Sequence, residues 1–349
     1  MLQSKNIHII GQGIAGSVLA FLLHQRGLRV HIYDDGHKTS ASKVAAGMWN
    51  PVSFKRMSQS WMADDLLPAA DSVYRKMEEV LGARFYHPME LIKIFPDTKF
   101  ANMWDEHSVS AEVGHYLTSE QDELIKAQFH QPHGHGVLRN AGWLDIPTFL
   151  TGCKAYFNHH GIYEQRTIDK AFIDALLATD AQALIVLATG TASTELFSDK
   201  VRIIPNKGEV LTVRIKDLPM MRIANFGKFL IPLGNDLFRL GATYEWNLAP
   251  LETTEKSRNT ILAQLANHYK GEVEVINQLA GYRPTTKDRR PIIGKHPEQD
   301  ALLFFNGFGS KGVMLIPFFA QHVIEYLEGK TSLMREVDVM RCFREETSM

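Results

Sequence analysis

Glycines 11, 13 and 16 hold the spacing G-x-G-x-x-G at the end of a short apolar run, Ile7-His8-Ile9-Ile10. An acid, Asp34, closes the next apolar run, Val30-His31-Ile32-Tyr33. In this order each residue has a physical task. Gly11 permits a tight turn out of a strand, Gly13 lets backbone approach a pyrophosphate, and Gly16 lets the following helix pack closely on the sheet. The N-terminus of that helix (17–25) faces the phosphate charge, and Asp34 is placed to accept hydrogen bonds from a ribose hydroxyl. Strand, turn, helix, strand and acid therefore read as a dinucleotide site. Three later segments carry small-residue turns: Ala188-Thr189-Gly190-Thr191, the run from Gly281 through Arg283 to Gly294, and Phe305-Asn306-Gly307-Phe308-Gly309-Ser310-Lys311-Gly312-Val313. At the first of these, Thr189 and Gly190 would let the chain pass close to the cofactor.

The elements that must position these residues do not form one uninterrupted doubly wound sheet. After Asp34 a polar, small-residue loop covers 36–60, and apolar spacing predicts helices over 62–82, 148–159, 253–269 and 312–328, with another near 119–127. Ala183 to Ala188 reads as a buried parallel strand, and 302–305 as another. Period-two alternation over 203–215 and 226–244 predicts antiparallel strands, with a hairpin turn at Gly234-Asn235-Asp236. The expected architecture is α/β with an α+β insertion: a discontinuous Rossmann-like cofactor domain from 1–83, 145–202 and 275–349, and an inserted antiparallel-sheet substrate domain from 84–144 and 203–274. A nicotinamide dehydrogenase usually completes its cofactor domain in one stretch, so the interruption favours FAD.

The chain has 349 residues, enough for two interwoven domains, and a formal net charge of −1. That charge offers no general attraction to nucleic acid or to an anionic membrane surface. The apolar run at residue 7 is too short for a signal peptide, and the longest other run, 313–320, contains Pro317 and falls far short of a membrane span. The expectation is a soluble, cytoplasmic protein with neither nucleic-acid nor membrane partner. Two cysteines, Cys153 and Cys342, lie far apart and in no metal spacing. His130, His133 and His135 lack an acid or cysteine partner and read as a polar loop near the site entrance, with no metal.

Taken together, the G-x-G-x-x-G with Asp34, the loop ending Ala45-Ala46-Gly47-Met48, Lys207-Gly208-Glu209, the run Gly241-Ala242-Thr243-Tyr244-Glu245, the Gly281-Tyr282-Arg283-Pro284 segment and the last glycine turn resemble the FAD-dependent oxidoreductases of the D-amino-acid oxidase superfamily, of the glycine and sarcosine oxidase kind. The resemblance spans nearly the whole chain. It implies non-covalent FAD, since neither cysteine lies where relatives attach flavin. The adenine half would lie on Gly11, Gly13, Ile14, Ala15, Gly16, Asp34 and Asp35. The flavin would lie along Ala45, Ala46, Gly47 and Met48, with Gly307, Gly309, Ser310, Lys311, Gly312 and Val313 approaching its pyrimidine side. A helix starting near Gly312 would aim its positive end at the place where negative charge develops on reduction.

The same resemblance implies that Arg283 forks onto a substrate carboxylate, a role that suits a planar, permanently charged guanidinium. The competing role is a structural ion pair with Asp288. Lys311 either stabilises reduced flavin or faces solvent. Tyr244 and Trp246 either line the pocket or belong to the core, and Arg289 and Arg290 read as a solvated turn. The implied reaction is oxidation of the Cα–N bond of a small amino acid or N-substituted glycine by hydride transfer to flavin N5, with oxygen or another acceptor taking the electrons. Two further readings stay open: a 2-hydroxy-acid dehydrogenase or tRNA-base carboxymethyl-removing oxidase on the same fold, and a non-catalytic flavin-binding sensor.

Overall fold

A computed structural model describes residues 2–36, 41–120, 122–193, 198, 200–246 and 250–344; part of the expected 36–60 loop, 37–40, lies outside them. The apolar runs near the N-terminus, at 183–187 and near 302 become the core of a six-stranded sheet. Its order is Tyr163–Gln165, Arg29–Asp34, Asn6–Ile10, Ala183–Leu187, Gln299–Asn306 and Ile292–His296. All neighbours are parallel except the last pair. Both faces are covered, as a parallel sheet requires. Leu184, Val186, Leu303 and Phe305 face the helices Ile14–Gln25, Ala63–Leu81 and Gly312–Leu327, whereas Ile185, Leu187, Leu302 and Phe304 face Ile173 on the helix Lys170–Thr179.

The helix Gly312–Leu327 contains Pro317, which cannot donate to the carbonyl of Val313. Tyr74, fully buried on Ala63–Leu81, repairs the gap: its hydroxyl donates to Val313 O at 2.9 Å. A buried carbonyl left without a partner would cost on the order of 1–3 kcal/mol. The local defect is thus offset by a residue 239 positions away in the chain.

A second sheet has eight strands in the order Glu274–Thr285, Ile204–Arg214, Leu237–Gly241, Phe229–Gly234, Ile223–Asn225, Leu91–Ile94, His135–Leu138 and Leu117–Thr118. The hairpin expected at 234–236 is present, with Gly234, Asn235 and Asp236 all at positive φ. One face of this sheet packs Leu211, Val213, Leu230, Phe238 and Leu240 onto Ile261 and Leu265 of the helix Glu255–Ala266. By the two-residue period and the cross-strand register, Gly208, Val210, Arg239, Gly241, Gly281 and Arg283 share the opposite face. A small sheet of Met48–Trp49, Gly142–Leu144 and Tyr86–Pro88 completes the frame.

Two placements differ from the expected segmentation. The strand Glu274–Thr285 pairs with Ile204–Arg214 over its whole length, so 275–285 belongs with the eight-stranded sheet, whereas the expected cofactor segment begins at 275. Gly281 and Pro284 mask this strand in the sequence. The helix expected near 119–127 is the shorter Glu123–Gln128, because Asp122 caps it by accepting from Ile125 N. Among the described residues no helix is long and apolar enough to cross a membrane.

Candidate active site

The strand Asn6–Ile10 turns at Gly11, φ +104°, into the helix Ile14–Gln25, with Gly11 N donating to Tyr33 O. A Cβ at Gly11 would lie 2.6 Å from Ala188 O, and one at Gly16 would lie 1.9 Å from Gly11 O. These glycines are therefore demanded by close backbone approach. The helix starts with no side-chain cap from Gly13 and no acid in its first turn, which holds Ile14 and Ala15. An N-terminus with neither cap nor acid suits an anion. Ser42 Oγ accepts from Ile14 N at 3.2 Å and stands 2.9 Å from where a Gly13 Cβ would be. Asp34, next to Asp35, is oriented by backbone: one carboxylate oxygen accepts from Gln12 N and the other from Gly36 N. Beside Gly11, Thr189 Oγ1 is buried with no partner among the described residues, and Gly190 O accepts from Asn306 Nδ2.

The segment 41–48 runs from this turn to the second sheet. Ser42 touches Gly13, Val44 sits 2.9 Å from where a Gly281 Cβ would stand, and Ala45 and Ala46 line a cavity with Arg239. Gly47, φ +76°, has no room for a Cβ against Leu144 O, at 2.1 Å. Its own carbonyl accepts from Leu144 N, and Met48 pairs with Trp143. From the other side the last glycine turn meets the same strand. Gly309 N donates to Pro284 O, and a Cβ at Gly307 would press on Thr286 at 2.8 Å. Ser310 is exposed, and Gly312 and Val313 open the helix Gly312–Leu327, whose first turn holds no acid and whose cap residue, Lys311, makes no side-chain cap. Lys311 Nζ instead donates to Ser60 Oγ at 2.9 Å. Although the residue is exposed, desolvation and the charges of Arg290 and Arg289 hold its pKa down.

Between these two approaches lies Arg283. Its guanidinium donates to Asn206 Oδ1 at 2.7 Å, to Thr243 O at 3.2 Å and to Lys207 O at 3.5 Å, and lies 4.5 Å from the Tyr244 ring centroid. Among the described residues it forms no ion pair. The alternative partner Asp288 is taken by Arg341 Nε at 2.9 Å. Burial pushes the arginine's pKa down and the Tyr244 side chain opposes it. The fully buried pair Lys207–Glu209, 3.2 Å apart, stiffens the strand on either side of Gly208, and Glu209 also accepts from Thr254 N and Oγ1 and Gln278 Nε2.

A model of the FAD dependent oxidoreductase family matches residues 6–326 of this chain. The chain belongs to that family. It is 26% identical over 347 residues to glycine oxidase of Bacillus subtilis, with 88% of this chain and 89% of that one covered. It is 24% identical to the bifunctional tRNA 5-methylaminomethyl-2-thiouridine biosynthesis protein of Hahella chejuensis, covering 97% of this chain and 59% of that protein. Among solved structures, L-proline dehydrogenase from P. horikoshii superposes with a TM-score of 0.76 at 16% identity, over 99% and 100% of the two chains. Glycine oxidase from Geobacillus kaustophilus does so with 0.75 at 18% identity, over 95% and 96%.

As a member of the FAD dependent oxidoreductase family the chain is an FAD-dependent enzyme, and its residues fit that cofactor. The glycine cradle that any Cβ would fill, two helix N-termini without acids and the orphaned Thr189 hydroxyl all suit a dinucleotide with a dianionic bridge. Some sequence-derived neighbours fall elsewhere. Tyr244 and Trp246 are half exposed and meet edge-to-face, so neither is core. Arg289 is exposed in the expected turn, whereas Arg290 at its end lies 4.0 Å from the centroid of Trp61. The loop 130–135 packs against the end of Glu255–Ala266, through His130 N to His268 O, with Phe129 on the face turned away from Arg283. Among the described residues no group of three His, Cys, Asp or Glu is placed to hold a metal. Sequence reasoning missed Asn206, Thr243, Ser60 and Arg239. Only Arg239 carried a signal, a charge inside the apolar hairpin run Phe238-Arg239-Leu240.

Proposed function

We propose that this enzyme oxidises the Cα–N bond of a small amino acid or N-substituted glycine whose carboxylate is held by Arg283. FAD supplies the two-electron acceptor for the hydrogen leaving Cα. The protein's part is positioning. Arg283 presents a fork already aligned by Asn206 Oδ1 and Thr243 O, and Tyr244 supports its flat face. No dedicated base is required, because the neutral amine assists loss of hydride. Lys311, held by Ser60 beside the helix Gly312–Leu327, places a cation where reduction adds negative charge.

The observation that carries this reading is a half-buried guanidinium without a carboxylate partner among the described residues, on a strand tied to the last glycine turn through Gly309 N and Pro284 O. The likeness to proteins named glycine oxidase supports it. The deciding experiment is anaerobic mixing of the yellow holoenzyme with amino acids, N-methylglycine and 2-hydroxy acids. Bleaching by an amine and not by its hydroxy analogue supports C–N oxidation; bleaching by hydroxy acids alone overturns it. The match to the tRNA-modifying proteins favours a second reading, removal of a carboxymethyl group from a modified tRNA base, and the same assay with such a tRNA separates the two. We further propose that FAD is bound non-covalently, since Cys153 is fully buried in the helix-facing core. Acid precipitation that leaves flavin on the pellet would refute that.

A further inference from the structure

Arg239 stands mid-strand in Leu237–Gly241, between the buried Phe238 and Leu240. It faces Thr212 on one neighbouring strand and Ile231 on the other. That register puts it on the same sheet face as Gly208, over which Arg283 lies. Its side chain lines a cavity of about 90 Å³ shared with Ala45, Ala46, Trp143, Asp145 and Leu233. Two donors on these lining residues, Arg239 Nε and Trp143 Nε1, are buried without an acceptor among the described residues. The guanidinium as a whole forms no hydrogen bond or ion pair there. Asp145 is the one acid whose charge reaches it, and both of its oxygens are engaged by Thr148, from N and from Oγ1.

A half-buried arginine whose Nε is enclosed and an enclosed indole N–H line one small cavity, neither donor with an acceptor among the described residues, and together they offer an anion two unused hydrogen bonds. The wall they share with Ala45 and Ala46 continues through Val44 to Gly281, two residues from Arg283. Resting on the reading of Arg283 as a carboxylate anchor, we propose that Arg239, with Trp143 Nε1, binds a second carboxylate, so that the substrate is an amino acid or N-substituted glycine with an acidic arm. Four residue steps at ~3.4 Å separate the Gly208 row from the Thr212 row, so the arm is several bonds long rather than a bare second carboxyl.

The test is calorimetric binding of unreactive carboxylates to the FAD-loaded enzyme: the dicarboxylates from succinate to pimelate against the monocarboxylates from butyrate to heptanoate. The expected result is one dicarboxylate length that binds about tenfold tighter than its monocarboxylate counterpart. Arg239→Met should abolish that preference and leave monocarboxylate binding unchanged, whereas Arg283→Met should weaken both series. If Arg239→Met does not fold, Arg239→Lys keeps the charge without the fork and should show a reduced preference. Absence of any dicarboxylate preference in the unmodified enzyme, or its persistence in the Arg239 variants, overturns the proposal. Monocarboxylate binding that survives Arg283→Met instead overturns the anchoring role of Arg283.

Discussion

The guanidinium of Arg283 lies across the backbone of Gly208: a Cβ at Gly208 would stand 2.2 Å from Arg283 Nη2 and 2.5 Å from its Cζ. The missing side chain on one strand is what allows the charged one on its neighbour to lie flat. Asn206, fully buried two residues earlier, then accepts from Nη1 and sets the fork's direction. Buried charge is costly unless it is paired or well hydrogen-bonded. Here neutral carbonyl and amide oxygens hold the half-buried arginine, and no carboxylate among the described residues pairs with it.

Arg283→Lys is therefore expected to keep the charge and lose the fork. A charge-assisted hydrogen bond contributes about 1.5–3 kcal/mol, so KM for a carboxylate substrate should rise roughly 10- to 100-fold. Steady-state kinetics on the holoenzyme measure this. An unchanged KM would remove Arg283 from the substrate site.

Gly16→Ala would put a methyl 1.9 Å from Gly11 O, inside the glycine turn that we propose holds the dinucleotide. Backbone cannot yield there without moving the helix Ile14–Gln25 off the sheet. The variant is expected to purify colourless and to take up no FAD on reconstitution, read from its absorbance. Gly27, with open space around its Cβ position, is the control, although its φ of +73° strains any replacement.

Lys93 is buried on Leu91–Ile94, donating to Asn225 Oδ1 near the rings of Phe54 and Phe100, and burial lowers its pKa from 10.5 to about 8. Between about pH 8 and 10.5 the unfolded chain keeps a proton that the folded one has released. Stability should therefore rise with pH across that window. At about 1.4 kcal/mol per pKa unit, the ionised lysine costs roughly 3 kcal/mol at neutral pH. Lys93→Met should raise the thermal midpoint at pH 7 and flatten the rise above pH 8, as followed by denaturation at several pH values. A midpoint gain that is the same at pH 7 and pH 10 would exclude titration of Lys93 as its cause.

Local rules made much of the frame legible. The glycine spacing, the apolar run at 183–187 and the hairpin at Gly234-Asn235-Asp236 each answer to nearby sterics or periodicity, and each appears where its residues require. The strand Glu274–Thr285 was hidden because its glycine and proline oppose strand propensity, and a long neighbour, Ile204–Arg214, overrides them by pairing. The site around Arg283 was only half legible. Its arginine stands in a recognisable segment, but Asn206, Thr243 and Ser60 are ordinary polar residues whose roles exist only through contacts 40 to 251 positions apart.

By itself, then, the sequence determined that a strand, a glycine turn, a helix and an acid would follow one another in the order that suits a dinucleotide, because strand and helix periodicity and the Gly11–Gly16 contact are local demands. Only the tertiary structure decided that Arg283 is left without a carboxylate partner among the described residues while Asp288 goes to Arg341, and that Arg239 shares its sheet face. Charge pairing depends on which distant groups the register brings within a few ångströms, and register is a property of the assembled sheet.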